Sequence, residues 1–338
     1  MVIHENCSIK KLNTFGVDVS VRYLAELDSA IEFTEFLSTK LFADMPRMIL
    51  GGGSNVLFLD DFPGVIIRNN IRGVEIVSET ADHVIVKAGA GMNWHDLVLW
   101  SIEKGYGGIE NLSLIPGSVG AGPIQNIGAY GVEIKDVFLE LEALKIDGLE
   151  IVKFNGEQCK FNYRDSFFKN AGKGKYIITS VSLKLSKNPV FNTKYGAIDE
   201  ELKRMGIAVL SLKAVSDAVC NIRRSKLPDP IALGNAGSFF KNPVVELSVY
   251  EKLLSAHPDL VSYSHNKTQR KIAAGWLIER SGSKGKREGN AGVHEKQALV
   301  LVNYGGASGK DILALSELVI RAVIEKFGIA LEREVNII

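Results

Sequence analysis

The stretch Ile115–Gly131, IPGSVGAGPIQNIGAYG, decides how this chain is read. It holds five glycines, two prolines, four side chains able to hydrogen-bond (Ser118, Gln125, Asn126, Tyr130) and no charge. Glycine loses more backbone freedom on ordering than any other residue, and a tight turn needs only one. Such a concentration predicts a backbone pressed close against something large and flat, with peptide N–H groups left to bind it. Gly51-Gly-Gly-Ser-Asn-Val-Leu57 has the same character. Two uncharged glycine-rich loops together predict one extended ligand that carries both phosphates and rings.

The rest of the chain bounds this reading. With 338 residues, 46% of them hydrophobic and 23% charged, it is long enough for two or three domains with real cores. A formal net charge of +1 argues against a broad basic face for nucleic acid. No apolar run approaches the roughly 18–20 residues of a membrane span. The opening MVIHENCSIKKLNTFG lacks the basic-then-apolar order of a secretory signal. Cys7, Cys159 and Cys220 are far apart, which indicates neither a disulfide framework nor a zinc site. These features predict a reduced, cytoplasmic protein.

Periodicity places the motifs on elements. Met48–Leu50 reads as a strand feeding the first glycine loop, and Gly64–Arg68 and Asp82–Ala88 read as further strands. Asn93 caps a helix that ends near Gly105. After the main loop, Val137–Ile146, Ile151–Phe154 and Tyr176–Leu185 read as antiparallel strands, with Asp147-Gly148 as a hairpin signal. Ser211–Arg224 reads as an amphipathic helix, Ile272–Glu279 as a buried helix and Ala298–Asn303 as a strand. Ser308 and Asp311 form a capping-box pair before a long helix to Phe327 with Gly328 at its stop, and Leu331–Ile338 reads as a closing strand.

Several familiar sites are excluded by spacing. The 51–57 loop lacks the Gly-Lys-Ser/Thr of a P-loop, and Trp94 occupies the third glycine position of a dinucleotide fingerprint. Gly234-Asn-Ala-Gly-Ser-Phe-Phe-Lys-Asn-Pro243 sets Ser238 between a glycine turn and two aromatics but is not a nucleophile elbow. No two histidines have metal-ligand spacing. Taken alone, Ser238 reads first as a turn residue, Tyr163-Arg-Asp-Ser166 as a surface ion pair and Lys226 as a solvated cation. Spacing alone selects neither Glu332 nor Glu334 for chemistry.

Taken in order, the segments resemble the UDP-N-acetylenolpyruvoylglucosamine reductase family. The likeness runs through Leu12-Asn-Thr-Phe15, 51–57, 115–131, Tyr163–Ser166, Lys226-Leu-Pro-Asp-Pro230, 234–243 and Leu331–Val335, nearly the whole chain. It implies an α+β fold: a two-lobed FAD-binding domain of the vanillyl-alcohol-oxidase type plus a smaller α+β substrate domain. The expected boundaries are 1–70 for the first flavin lobe, 71–225 for the second with 328–338 returning to it, and 226–327 for the substrate domain. The resemblance further implies NADPH-dependent reduction of UDP-N-acetylglucosamine enolpyruvate to UDP-N-acetylmuramate in peptidoglycan synthesis, which serves cell shape and division. The hydride would pass from flavin N5 to C3, and the protein would act as a monomer with non-covalent FAD.

The family's roles carry over one residue at a time. Ser238 resembles the proton donor to C2, Arg164 the arginine that stabilises the anionic intermediate, and Glu334 the C-terminal catalytic glutamate. Tyr195, Lys226, Asn242 and Gln297 match residues that bind the UDP-sugar, and the Tyr195 loop is similar to the longer of two subclasses. The flavin contacts implied are Gly51, Gly52, Gly53, Ser54, Asn55, Val56 and Leu57 in the first loop. In the second they are Ile115, Pro116, Gly117, Ser118, Gly120, Gln125, Asn126, Gly128, Ala129 and Tyr130. A fixed cation suits the charge that builds on the enolpyruvyl carboxylate, and an enolate-like carbon is basic enough to take a serine proton. Glu334 beside that carboxylate is predicted to hold a proton in the substrate complex. A flavin oxidase of the same fold and a non-catalytic nucleotide-sugar binder are the competing readings.

Overall fold

The structure is a computed structural model that describes residues 1–42, 44–194 and 197–338. Two compact units emerge: Met1–Cys7, Val21–Gly52 and Phe62–Ser225 form the first, and Ser8–Ser20, Gly53–Asp61 and Lys226–Ile338 the second.

The first unit contains two large sheets and a two-stranded ribbon, Gly128–Ala129 with Val132–Glu133. One is four-stranded, in the order Val2–Ser8, Ser20–Leu27, Phe62–Asn69, Arg47–Leu50. Phe62–Asn69 runs parallel to both of its neighbours. Its buried run Val65-Ile66-Ile67 is what a strand covered on both faces requires. The helix Ala30–Ser38 makes the crossover; Ser29 caps it by accepting from the Glu32 N–H, and Phe33 and Phe36 are buried from it.

The second sheet is antiparallel, in the order Ile151–Asn155, Phe138–Lys145, Tyr176–Ser186, His83–Gly89, Val74–Glu79. Asp147-Gly148 turns the hairpin, with Gly148 and Leu149 both in the left-handed region at φ 94° and 54°. In His83–Gly89 the buried positions alternate until the last two residues, as a half-covered strand demands. Leu144 and Ile177 of this sheet join Val65 and Ile67 of the other in one apolar cluster. The buried Asn69 also donates to the Ile178 carbonyl at 2.8 Å. The two sheets of this unit thus share a core.

The second unit has a four-stranded sheet, Gly234–Ser238, Val300–Asn303, Ala291–Val293, Arg287–Glu288, and a three-stranded one, Val244–Glu246, Gln269–Ile272, Ser262–Ser264. Ser308 and Asp311 form the capping box of the helix Gly309–Phe327, which Gly328 ends at φ 67°. The closing strand is shorter than its alternation suggests. Only Asn336–Ile337 is a strand, parallel to Val56–Leu57, and Arg333 adds an isolated bridge to Phe240. The chain bends at Val335, so Leu331–Glu334 is held by single bonds rather than by a continuous ladder.

Candidate active site

Four of the quoted segments assemble within the second unit. Asn13 is buried and its side chain closes the turn on itself, accepting from the Val17 N–H and donating to Ile9 and Val17 carbonyls. That turn presents Thr14 and Phe15 to two other segments. Thr14 N–H donates to Gly53 O at 3.0 Å, and Asn235 N–H donates to Thr14 O at 2.9 Å. Phe15 lies edge-on to Phe239, with centroids 6.1 Å apart. A side chain at Gly53 would strike the Leu12 carbonyl, and one at Gly234 the Phe15 carbonyl. These glycines are required by backbone-to-backbone packing.

Ser238 ends a bulged strand. Gly234 and Asn235 pair with Asn303 and Val302, and the register then slips before Ser238 meets Val300. Gly237 takes φ 68° in the slip, and Asn235 Oδ1 accepts its N–H at 2.9 Å. A bulge of this kind re-aims the side chain that follows it. Phe239 and Phe240, buried next in line, anchor the strand, with Phe239 N–H on Leu299 O at 2.7 Å. On the other edge Glu334 N–H donates to Phe239 O at 2.8 Å. The fold thus brings the Ser238 and Glu334 segments side by side. Arg333 points away, its Nε donating to Ser316 Oγ at 2.8 Å on the long helix.

Asn242 and Gln297 meet the same short helix, Ala274–Arg280. Asn242 Oδ1 accepts the Ala274 N–H at 2.9 Å, serving a helix start whose own N-cap, Ala273, has no side chain for the task. Gln297 Oε1 accepts the Leu299 N–H at 3.4 Å and lies 3.5 Å from where a side chain on Gly275 would begin. Lys226 is exposed at the end of the helix Leu212–Lys226. Tyr195 lies outside the described residues.

In the first unit the two glycine loops back onto each other. A methyl group on Gly51 would overlap Ser118 Oγ, and one on Gly52 would lie 2.8 Å from Gly117 Cα. One on Gly120 would lie 2.5 Å from Ala90 Cβ. The close approach inferred from composition is real, but its partner along these directions is protein. What the packing leaves open is the peptide N–H side. Among the described residues, the N–H groups of Gly51, Gly52, Gly53 and Ser54 donate to no protein acceptor, nor do those of Ile115, Gly117 and Ser118. Clustered free amides of this sort suit a pyrophosphate without cationic help. Replacing Gly52 by alanine is expected to cost about 1–3 kcal/mol, because backbone on the far side cannot yield as a side chain can. A melting temperature equal to that of the parent would rule this out.

Other predicted contacts also take part in the protein's own packing. Asn126 is fully buried: its Nδ2 donates to Glu133 Oε2 at 2.9 Å and Asn162 O at 3.0 Å, and its Oδ1 accepts from Lys135. Val56 and Leu57 are core residues paired with the chain's end. Three non-glycine residues of this region, Leu114, Asn126 and Tyr130, have φ of 59°, 45° and 50°. Such conformations persist only where the surroundings impose them, and they concentrate at functional sites.

Arg164 belongs to this strained set at φ 52°. Its guanidinium donates to Gly128 O at 2.8 Å, while Asp165 accepts from Asn170 at 2.8 Å. Ser166 completes the tie by donating to Ile124 O at 2.6 Å. The YRDS turn is thereby bound to the second half of the glycine loop.

Two residues escaped the sequence reading because they look like ordinary helix positions. Arg223 interacts with Tyr130, its charge is opposed by Arg164, and its buried Nε has no hydrogen-bond partner among the described residues. Burial lowers its guanidinium from the usual value, and burial raises the Tyr130 phenol. His95 accepts the Leu114 N–H on Nδ1 at 3.0 Å. Burial lowers its imidazole, Asp96 opposes that shift, and Arg224 and Arg223 reinforce it.

Known proteins fit this geometry. Residues 229–338 match the profile described as UDP-N-acetylenolpyruvoylglucosamine reductase, C-terminal domain, and residues 23–154 match an FAD binding domain. UDP-N-acetylenolpyruvoylglucosamine reductase from Amoebophilus asiaticus is 49% identical over 338 residues, covering all of both chains. That from Flavobacterium johnsoniae is 48% identical over 339 residues, again covering both completely. The crystal structure of the Thermus caldophilus enzyme superposes with a TM-score of 0.68 at 25% identity, covering 99% of each chain. The α+β fold, with a two-lobed FAD-binding part of the vanillyl-alcohol-oxidase type, follows from these matches and the two sheets described above. Identity at this level over the whole length makes the chain a member of the UDP-N-acetylenolpyruvoylglucosamine reductase family.

Proposed function

We propose that this chain is a flavin-dependent UDP-N-acetylmuramate dehydrogenase, which reduces UDP-N-acetylglucosamine enolpyruvate to UDP-N-acetylmuramate for peptidoglycan. The observation that carries the reading is full-length identity of 49% with a reductase of that name, joined to a loop pair whose peptide N–H groups are free. FAD, when bound, takes electrons from NADPH and supplies a hydride to C3 of the enolpyruvyl group. The free amides of Gly51–Ser54 and of Ile115, Gly117 and Ser118 would hold it, with residues 1–70 and 71–225 as the two lobes of its domain. Residues 226–327 hold the UDP-sugar through Lys226, Asn242 and Gln297, with Tyr195 from the loop of the longer subclass.

Arg164 stabilises the negative charge that develops at C2 and the substrate carboxylate. Ser238 Oγ–H donates the proton that C2 takes up, completing the addition of H⁻ and H⁺ across the double bond. Glu334, protonated beside the carboxylate, supports the same anionic charge. With no dinucleotide fingerprint in the chain, NADPH and the UDP-sugar take turns in one cleft, giving ping-pong kinetics. The protein works as a cytoplasmic monomer; no helix among the described residues is long and apolar enough to cross a membrane.

An anaerobic experiment tests the reading. NADPH is expected to bleach the flavin, and the enolpyruvyl sugar then to restore the oxidised spectrum. Reoxidation by oxygen but not by the sugar would assign an oxidase instead, and a purified protein that takes up no flavin would leave a nucleotide-sugar binder.

A further inference from the structure

We infer that His95 is a positioning residue for the cofactor loop: its neutral imidazole holds the Leu114 amide and so fixes the turn that opens the cradle. The inference rests on the FAD reading above. Residues 92–95 form a seam along the loop. Val119 N–H donates to Met92 O at 2.9 Å, Trp94 N–H donates to Gly117 O at 3.0 Å, and Asn93 bridges Ser118. The buried Trp94 ring donates Nε1–H to Leu112 O at 3.0 Å. Asn93 Oδ1 in turn accepts the N–H groups of His95 and Asp96, which sets the first turn of the helix Trp94–Glu103 and places the imidazole.

Within this seam the described bonds join backbone, amide and indole groups, except at His95, whose Nδ1 accepts from Leu114 N at 3.0 Å. Leu114 has φ 59° and stands directly before Ile115-Pro-Gly117, whose N–H groups face no protein acceptor. A leucine stays in the left-handed region only when something holds it there. A backbone amide can only donate, so Nδ1 must keep its lone pair and the ring proton sits on Nε2. Protonating the ring turns Nδ1 into a donor facing a donor, and the hold on Leu114 is lost.

The surroundings keep the ring neutral. Burial disfavours the cation, and Arg223 and Arg224 on the helix Leu212–Lys226 add to that, against Asp96 on its own helix. Glu110, on the short turn packed against this helix, accepts the Gly108 N–H on its carboxylate at 2.6 Å. The sign follows directly. A histidine whose folded value is depressed contributes in full at neutral pH, and the contribution fades as pH falls below about 6.5 toward the lower folded value.

FAD affinity of the flavin-free protein, titrated by flavin fluorescence at about pH 7.5 and about pH 5, tests this on either side of the ordinary histidine range. The wild-type protein is expected to bind FAD roughly three- to tenfold more weakly at the lower pH, the worth of one hydrogen bond. His95→Asn keeps an acceptor near the Nδ1 position and cannot titrate, so its affinity should stay within about twofold across the range. His95→Phe should bind weakly at both values. Amide exchange of the flavin-free protein gives an independent readout, with Leu114 less protected in the phenylalanine variant. Acid weakening in His95→Asn equal to the wild type, or full Leu114 protection in His95→Phe, would overturn the role. If the wild type takes up no FAD at either pH, the flavin reading fails, and Leu114 protection alone still decides for or against His95.

Discussion

Replacing Ser238 by alanine is expected to slow reoxidation of the reduced flavin by the enolpyruvyl sugar by roughly 10²–10⁴-fold, the usual worth of a positioned general acid. Reduction by NADPH should keep its rate, because that half of the cycle needs no proton at C2. The fold makes the comparison a clean one. Ser238 is half-buried at the end of a bulge fixed by Gly237 and the Asn235 side chain, and it is followed by two buried phenylalanines. Its strand is held on one side by Leu299 and Val300 and on the other by Glu334. Alanine removes one oxygen and leaves the register as it was, so folding should not confuse the result. Anaerobic stopped-flow of the two half-reactions is the measurement, and an unchanged sugar-dependent rate would remove Ser238 from the proton step.

The same strand shows what the chain discloses before folding and what it withholds. Residues 234–243 advertise a glycine turn before two aromatics, so a buried anchor after a turn was legible. The one-residue register slip was not, because it depends on pairing with Val300–Asn303, some sixty positions later. Likewise the alternation of Leu331–Ile338 reads as a full strand. Only Asn336–Ile337 finds a partner ladder, while Leu331–Glu334 takes isolated bonds to Phe240 and Phe239. Local periodicity reports which face is apolar; it does not report how many residues find a neighbouring strand.

The glycine loops carry a sharper lesson. Their composition correctly signalled close backbone approach, yet Gly51, Gly52 and Gly120 approach Ser118, Gly117 and Ala90 rather than open space. The glycines bring protein against protein so that a line of N–H groups is left without acceptors. Arg223 and His95 had no such signature. Each is a polar position on an amphipathic helix, and only the contacts with Tyr130 and Leu114 set them apart.

Arg164→Met is expected to slow the sugar-dependent step by roughly 10²–10³-fold, since the charge it would stabilise exists only as the hydride arrives. Arg164→Lys should recover only part of that. A lysine ammonium is a compact point charge and cannot reproduce the planar fork of the guanidinium, whose Nη2 reaches the Gly128 carbonyl. The tie to Gly128 adds a second effect that separates this residue from Ser238. Gly128 lies in the glycine loop, and Arg164 holds it from a turn itself at φ 52°, so losing the guanidinium should also loosen the loop. FAD affinity of Arg164→Met should therefore fall by a few-fold, about what one hydrogen bond is worth, while Ser238→Ala should bind FAD as the parent does. Measuring flavin affinity beside the half-reaction rates distinguishes the roles. If Arg164→Met keeps both its sugar-dependent rate and its FAD affinity, then neither the charge nor the tie matters, and the anionic step needs another cation.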